Sequence, residues 1–92
     1  MKDLRNNKTE FYVIIADSCW DGDENIETFI FDNEEAAREK FERLIADDKA
    51  FLEEEGRDDI IERSENSYQS YPEGEYSKNH CTLDLLITKH NA

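Results

Sequence analysis

Residues 18–25, SCWDGDEN, place a thiol, an indole and three carboxylates within one short segment. A calcium loop of the EF-hand type requires oxygen ligands at its positions 1, 3 and 5, glycine at 6 and glutamate at 12. In the best alignment Asp21 and Gly22 occupy positions 5 and 6, but Cys19 and Thr28 occupy positions 3 and 12. An acidic hairpin turn is therefore the better interpretation of this segment.

Cysteine and histidine supply the other side chains that could bind a metal or attack a substrate. The candidates are Cys19, His80, Cys81 and His90, and they show neither CxxC nor HxxxH spacing. If the first and last strands are antiparallel neighbours, Cys19, His80 and Cys81 lie close enough for a zinc cluster. Two free, partly buried thiols are the simpler interpretation.

Catalysis has little support in the sequence. Cys19 with His80 or His90 would make a nucleophile and base pair. The chain, however, has no glycine-rich phosphate loop, no GxSxG elbow and no HExxH motif. We therefore predict a protein that is not an enzyme, with no catalytic residues, no metal and no cofactor.

The charge distribution is the most informative feature. The chain has 24 acidic against 11 basic residues and a formal net charge of −13. Residues 9–37 carry nine acids and no base, and residues 50–77 carry nine acids against two arginines. Such a charge repels nucleic acids and anionic membranes, and it attracts basic protein surfaces. We therefore expect no direct contact with nucleic acid or membrane.

The chain shows no sign of export or membrane insertion. It has no apolar run near the roughly 18 residues of a membrane span, and no apolar stretch follows the N-terminal bases. Two cysteines are too few for a disulfide framework. We expect a cytoplasmic location.

Two strands that form a hairpin are predicted near the N-terminus. The segment FYVIIADS has five consecutive large apolar residues, a pattern typical of a central strand covered on both faces. IETFIF is rich in β-branched and aromatic residues, and Asp21-Gly22 is a favourable turn dipeptide between the two segments.

A long helix is predicted over residues 32–56, where Asp32 and Glu35 have the spacing of a capping box and Gly56 is a natural stop. Asp48 interrupts the apolar stripe of this helix, which predicts an exposed or broken distal half. The stripe consists of Ala37, Phe41, Leu44, Ile45, Phe51 and Leu52.

The remainder of the chain completes an α+β outline. Ile60 and Ile61 indicate a short strand, residues 64–80 a long polar tyrosine-rich loop, and the alternation of CTLDLLITKH a final strand. We predict one domain over residues 1–92, with residues 1–9 as a frayed lead-in. Its order is β-β-α-(β)-β, an antiparallel sheet of three to four strands with one long helix on one face.

The run FDNEEAAREKFERL after a hairpin resembles the strand–strand–helix opening of many small phage and mobile-element proteins, over residues 11–55. The size, charge and α+β outline are similar to those of acidic anti-CRISPR proteins and other DNA-mimicking phage inhibitors. The resemblance implies a non-enzymatic inhibitor in the cytoplasm of a bacterial host. Its partner would be a basic nucleic-acid-binding protein, such as a CRISPR effector, whose nucleic-acid binding it blocks. No individual functional residue is carried over.

Spacing and residue type indicate which residues would contact such a partner. Carboxylates two apart on a strand lie about 6–7 Å from one another, comparable to successive phosphates, and Trp and Tyr are enriched at binding hot spots. The alternative for the aromatic residues is that they cover the small core. The predicted contact residues are Trp20, Asp21, Asp23, Glu24, Glu27, Glu53, Glu54, Glu55, Asp58, Asp59, Tyr68 and Tyr71.

A second function class remains open. The chain is equally consistent with an interaction or regulatory module that acts through an edge strand or helix contacts, without nucleic-acid mimicry. The final strand would be the pairing element if it lies at an edge, and a charge at Leu85 or Ile87 would then disrupt the complex. Both a monomer and a homodimer fit the sequence.

Overall fold

The structure, a computed structural model, describes the backbone of residues 8–91 and the side chains of residues 10–88. Residues 1–7 of the predicted lead-in lie outside the described residues, as does the side chain of His90. Lys8 and Thr9 already belong to the first strand, so the lead-in is shorter than predicted.

Strands β1 (Lys8–Trp20) and β2 (Asp23–Phe31) form the predicted hairpin. Asp21 and Gly22 alone connect them, with positive φ angles of 54° and 90°. Positive φ at both central residues defines the turn whose twist matches paired strands, and Asp-Gly is well suited to it. The hairpin excludes a calcium loop here, because the flanking residues belong to the strand ladder.

Helix α1 (Glu34–Glu54) begins one residue later than the capping box predicts. Asn33 is the N-cap: its backbone is extended, and its Oδ1 accepts a hydrogen bond from the Ala36 N–H at 2.9 Å. The prediction of Asp32 as the cap is therefore wrong. The predicted stop is confirmed, since Gly56 has a φ of 68° and its N–H donates to the Glu53 carbonyl at 3.1 Å.

The remaining strands are β3 (Ile60–Arg63), β4 (Ser67–Tyr71) and β5 (His80–Asn91). All neighbours in the sheet are antiparallel, and their order is β2-β1-β5-β4-β3. The α+β class is confirmed, but the sheet has five strands rather than three to four, because β4 lies inside the predicted loop. β5 is the central strand, and the outermost strands are β2 and β3. Among the described residues, however, β4 pairs only with residues 81–84 of β5, so the later part of β5 is paired on the β1 side alone.

The core lies between α1 and one face of the sheet. Tyr12 and Ile14 of β1 and Leu83 and Leu85 of β5 pack against the helix, and the cluster is completed by Ala37, Phe41, Ile45 and Tyr68. Side chains alternate along a strand, so Val13 and Ile15 point to the opposite, outer face. They are only half-buried there, so the predicted cover on both faces of β1 is wrong.

Asp48 does not break the helix. It is half-buried, and its Oδ2 accepts hydrogen bonds from the hydroxyls of Tyr68 at 2.6 Å and Ser70 at 2.7 Å. These bonds fasten the distal half of α1 onto β4, and Leu52 is buried one turn later. The predicted break is therefore wrong, whereas most side chains of the distal half are exposed as predicted, Phe51 among them.

Candidate functional site: an acidic end with an adjoining pocket

The hairpin turn rests on the segment that leads into β5. The Asp21 N–H donates to Asn79 Oδ1 at 3.0 Å, and the Gly22 N–H donates to the Lys78 carbonyl at 2.9 Å. Both donors come from the two-residue turn, whose positive φ angles turn them away from the hairpin ladder. The turn is thus fixed in place rather than projecting freely.

Trp20 connects the hairpin to the exit of the helix. Its ring contacts Phe51 edge to face, with 5.2 Å between ring centroids, and the Arg57 guanidinium lies 5.1 Å from the indole. The indole nevertheless remains 49% exposed. The two acidic segments predicted from the sequence therefore meet at one end of the molecule.

A groove of about 460 Å³ runs along this end, and the residues 72–75 turn forms its third wall. Trp20 and Arg57 line it together with acidic residues from the hairpin turn, the helix exit and that turn. We call the exposed carboxylates of this region the acidic end; they are Asp21, Glu55, Asp58, Glu73 and Glu75.

Two of the predicted contact residues are not available to a partner. Tyr68 is 1% exposed and belongs to the core. The side chain of Asp59 is 1% exposed and binds Arg57 through two hydrogen bonds, at 2.7 and 3.1 Å. Tyr71 is half-buried and contacts Tyr76 edge to face. These residues build the surface or support it.

The other predicted contact residues are exposed. Asp21 and Asp58 line the groove and Glu55 lines the adjoining pocket, so all three belong to the acidic end. Asp23, Glu24, Glu27, Glu53 and Glu54 are exposed and line neither. Glu73 and Glu75 were missed, because nothing in the sequence indicates that the Pro72–Gly74 segment lies beside the hairpin turn.

An apolar pocket of about 440 Å³ adjoins the groove, between the distal half of α1 and the sheet. Trp20, Phe51 and Leu52 contribute its apolar walls, and Asp48 and Glu55 contribute carboxylates. Asp48 already accepts two hydrogen bonds here, so its position is fixed. The pocket therefore offers a negative, preorganised site to a side chain that enters it.

The environment of Asp48 holds two neighbouring acids in their neutral forms. Burial, and then the negative charge of Asp48, raises the pKa of the Cys81 thiol to about 12. Burial and the hydrogen bond to Asp48 likewise raise the pKa of Tyr68. Cys81 is therefore poorly suited to be a thiolate nucleophile or a thiolate ligand.

The predicted cluster of Cys19, His80 and Cys81 does not form. Cys19 pairs with His80 across the β1–β5 ladder, and Cys81 pairs with Ser18. Because side chains alternate, Cys81 faces the helix, whereas Cys19 and His80 face outward. The Cys19 thiol donates to the Lys78 carbonyl at 3.3 Å, and among the described residues no hydrogen bond joins it to the imidazole.

Comparison with known proteins gives no match. No protein-family model matches the chain, and no curated protein and no solved structure matches it. Within the described residues, the helix has no stretch that is both long and apolar enough to cross a membrane. Support for a function therefore comes from the geometry of the acidic end.

Proposed function

We propose that the protein is a non-enzymatic inhibitor of the phage type. It binds a basic, nucleic-acid-handling protein, such as a CRISPR effector, through the acidic end and blocks that protein's nucleic-acid binding. The observation that supports this proposal is that three acidic segments, distant in sequence, meet around the exposed ring of Trp20.

The charge of this surface is poorly compensated. Arg57 is held by Asp59 in a two-bond ion pair, so its charge is neutralised locally. Lys78 is the one base among residues 72–79, against the five carboxylates of the acidic end. Such an excess of one sign steers association with a basic surface and sets orientation.

Trp20 supplies an apolar contact in addition to the attraction between charges. Trp20 is held by Phe51 and Arg57 while half of its surface remains exposed. A preorganised indole loses little conformational entropy on binding, and Trp is a frequent hot-spot residue. The pocket beside it, about 440 Å³ in volume, can admit a partner side chain. Its carboxylates Asp48 and Glu55 favour lysine or arginine, since Arg57, which also lines it, is paired with Asp59.

The test is affinity capture on the immobilised chain from a nuclease-treated bacterial lysate, followed by elution with duplex DNA and mass spectrometry. The test variant carries Asp21→Asn, Asp58→Asn and Glu73→Gln. The matched control carries three neutralisations on the exposed face of the helix, and both have the same net charge. The control changes are Glu35→Gln, Glu39→Gln and Asp47→Asn.

We expect the wild type and the control to capture basic nucleic-acid-binding proteins that DNA elutes, and the test variant to lose them. Proteins that DNA does not elute, or equal capture by all three chains, would contradict the proposal. Adding Trp20→Ala to the control should reduce capture as well, since it removes the apolar anchor without changing charge.

A second candidate function is self-association, which the outer face of the sheet favours. Ile30 is 67% exposed, and Ile26 and Leu86 are exposed on the same face beside half-buried Val13 and Ile15. An apolar sheet face next to the open edge β2 is typical of a surface that pairs. Light scattering over a concentration series, with wild type and Ile30→Lys, tests it. A monomer at every concentration would end this candidate.

A further inference from the structure

Three potential ligands for a metal ion project from three adjacent strands on the outer face. Cys19 of β1 pairs with Glu24 of β2 on one side and with His80 of β5 on the other. Asp17, two residues earlier on β1, points to the same face. The ligating atoms of Asp17, Glu24 and His80 all lie within 4.8 Å of one another.

His80 is oriented as a metal-binding histidine is. Its side chain is only 9% exposed, and its ring stacks on Tyr76 at 4.4 Å between centroids. Nδ1 lies 2.6 Å from the Tyr76 carbonyl oxygen, and because a carbonyl only accepts, Nδ1 carries the proton. Nε2 faces Asp17 and, in the neutral imidazole, has a lone pair with which to coordinate a metal. Histidine ligands commonly donate their other N–H to a backbone carbonyl in this way.

Asp17 supplies the second observation. Its Oδ1 is buried and has no hydrogen-bond partner among the described residues. A buried carboxylate oxygen without a partner is costly and calls for an explanation. Oδ1 lies 3.5 Å from His80 Nε2, too far for a good hydrogen bond. Two ligands that share a tetrahedral ion at about 2.0–2.1 Å are about 3.3 Å apart.

We propose that Asp17, Glu24 and His80 bind a divalent first-row transition metal, for which Zn²⁺ is the best fit. One imidazole with two carboxylates suits Zn²⁺, whereas Ca²⁺ binds through oxygen ligands alone. His80 is fixed by burial and stacking, Asp17 lies beside it with one carboxylate oxygen buried, and the exposed Glu24 closes the site from the hairpin edge. The fourth position is open to water.

The ion would join β2, β1 and β5 immediately behind the turn that carries Asp21. Tyr76 would support this site, because its ring stacks on His80 and its carbonyl oxygen accepts the hydrogen bond from Nδ1. None of the three ligands lines the groove, although His80 also lines the adjoining pocket.

The test is isothermal titration of the full chain, freed of metal by chelator and dialysis, with ZnCl₂ at neutral pH. We expect one equivalent of Zn²⁺ to bind. Glu24→Gln and His80→Ala should each weaken binding about tenfold or more. The controls are Asp23→Asn, which neutralises the adjacent carboxylate on the opposite face of β2, and Cys19→Ser, which removes the nearest thiol.

Circular dichroism shows whether each variant is folded, and Glu24→Gln is an exposed, conservative change that tests the site if His80→Ala unfolds. A Co²⁺ titration adds an independent readout, because coordination by nitrogen and oxygen gives a visible spectrum without a thiolate charge-transfer band. No heat at millimolar Zn²⁺, equal binding in Glu24→Gln and wild type, or loss of binding in Cys19→Ser would each overturn the proposal.

Discussion

Asp48 is the residue on which the distal half of the helix depends. Its carboxylate accepts hydrogen bonds from Tyr68 and Ser70, both of which are buried. Hydroxyls buried without an acceptor cost more than an ordinary hydrogen bond contributes. The polar cluster therefore holds α1 and β4 together, although neither element has a continuous apolar face there.

Asp48→Ala should lower the free energy of unfolding by about 2–4 kcal/mol, because it leaves two buried hydroxyls unpaired at about 1–3 kcal/mol each. Urea unfolding measures the change. Asp47→Ala is the matched control: it makes the same change in helix propensity at the adjacent exposed position, and its effect should stay within about 0.5 kcal/mol. Equal effects of the two substitutions would contradict this role of Asp48.

Cys81, which lies beside Asp48, should make the free energy of unfolding depend on pH in the alkaline range. Its pKa is about 12 in the folded protein, against about 8.5 for an exposed thiol in the unfolded chain. Above about pH 8.5 the thiol ionises in the unfolded chain but stays neutral in the folded protein, which favours the unfolded state. The contribution of Cys81 to the free energy of unfolding is therefore fully present below about pH 8.5 and is lost as pH rises toward 12. Cys81→Ala should lose less stability than wild type between pH 8 and pH 11 in urea unfolding. Parallel profiles for the two proteins would show that the thiol makes no such contribution.

Among the elements, β4 shows why the hydropathy pattern alone did not predict every strand. Its sequence, SYQSY, buries Tyr68 and Ser70 and leaves alternate residues half-exposed. The buried face is polar in composition, and its acceptor, Asp48, lies on a helix 20 residues earlier. Tyr68 and Ser70 therefore show no apolar alternation that would indicate a strand, and nothing in the sequence identifies Asp48 as their acceptor. The hairpin, in contrast, was predictable, because its apolar strands and Asp-Gly turn are local signals.

The start of the helix gives a prediction at this scale. Asn33→Ala should lower the free energy of unfolding by about 1 kcal/mol, because the Ala36 N–H loses its acceptor. Asp32→Ala is the matched control and should cost less than half as much, since Asn33 provides the cap. Chemical unfolding of both variants measures the difference. A larger loss of unfolding free energy for Asp32→Ala than for Asn33→Ala would show instead that Asp32 is the N-cap, as the sequence predicted.

At the scale of the whole molecule, the acidic end is a concentration of like charge that folding itself creates. Its carboxylates come from residue 21, residues 55–58 and residues 73–75, which are far apart in the sequence. Their mutual repulsion opposes the compact state. A protein that keeps such a surface gives up stability there, as is common at binding sites.

Stability should therefore rise with salt. Between about 10 and 300 mM NaCl, screening should raise Tm by several degrees, because the Debye length shortens from about 30 Å to less than 10 Å. The Asp21→Asn, Asp58→Asn, Glu73→Gln variant should have a higher Tm at low salt and a smaller response. Glu35→Gln, Glu39→Gln, Asp47→Asn, with equal net charge, should change less. Differential scanning calorimetry measures both, and equal responses would place the repulsion elsewhere.

The candidate sites were predictable only in part. Trp20, Asp21 and Asp58 could be chosen from composition and the turn signal, because they lie in strongly acidic segments. The Asp17, Glu24 and His80 set could not, because it depends on the pairing register of β5 with β1 over more than 60 residues of sequence. The same register shows that Cys81 lies on the other face from His80.

The pairing of Lys8 with Asn91 at the far end of the β1–β5 ladder has a practical consequence. Paired residues in an antiparallel ladder lie about 4.5–5.5 Å apart at their Cα atoms, so the described chain enters and leaves the sheet at one place. The hairpin turn lies at the other end of β1, about 40 Å away at 3.3 Å per residue. A tag, a surface linker or a fused domain attached there leaves the acidic end free, and a short connection between the two positions would permit circular permutation.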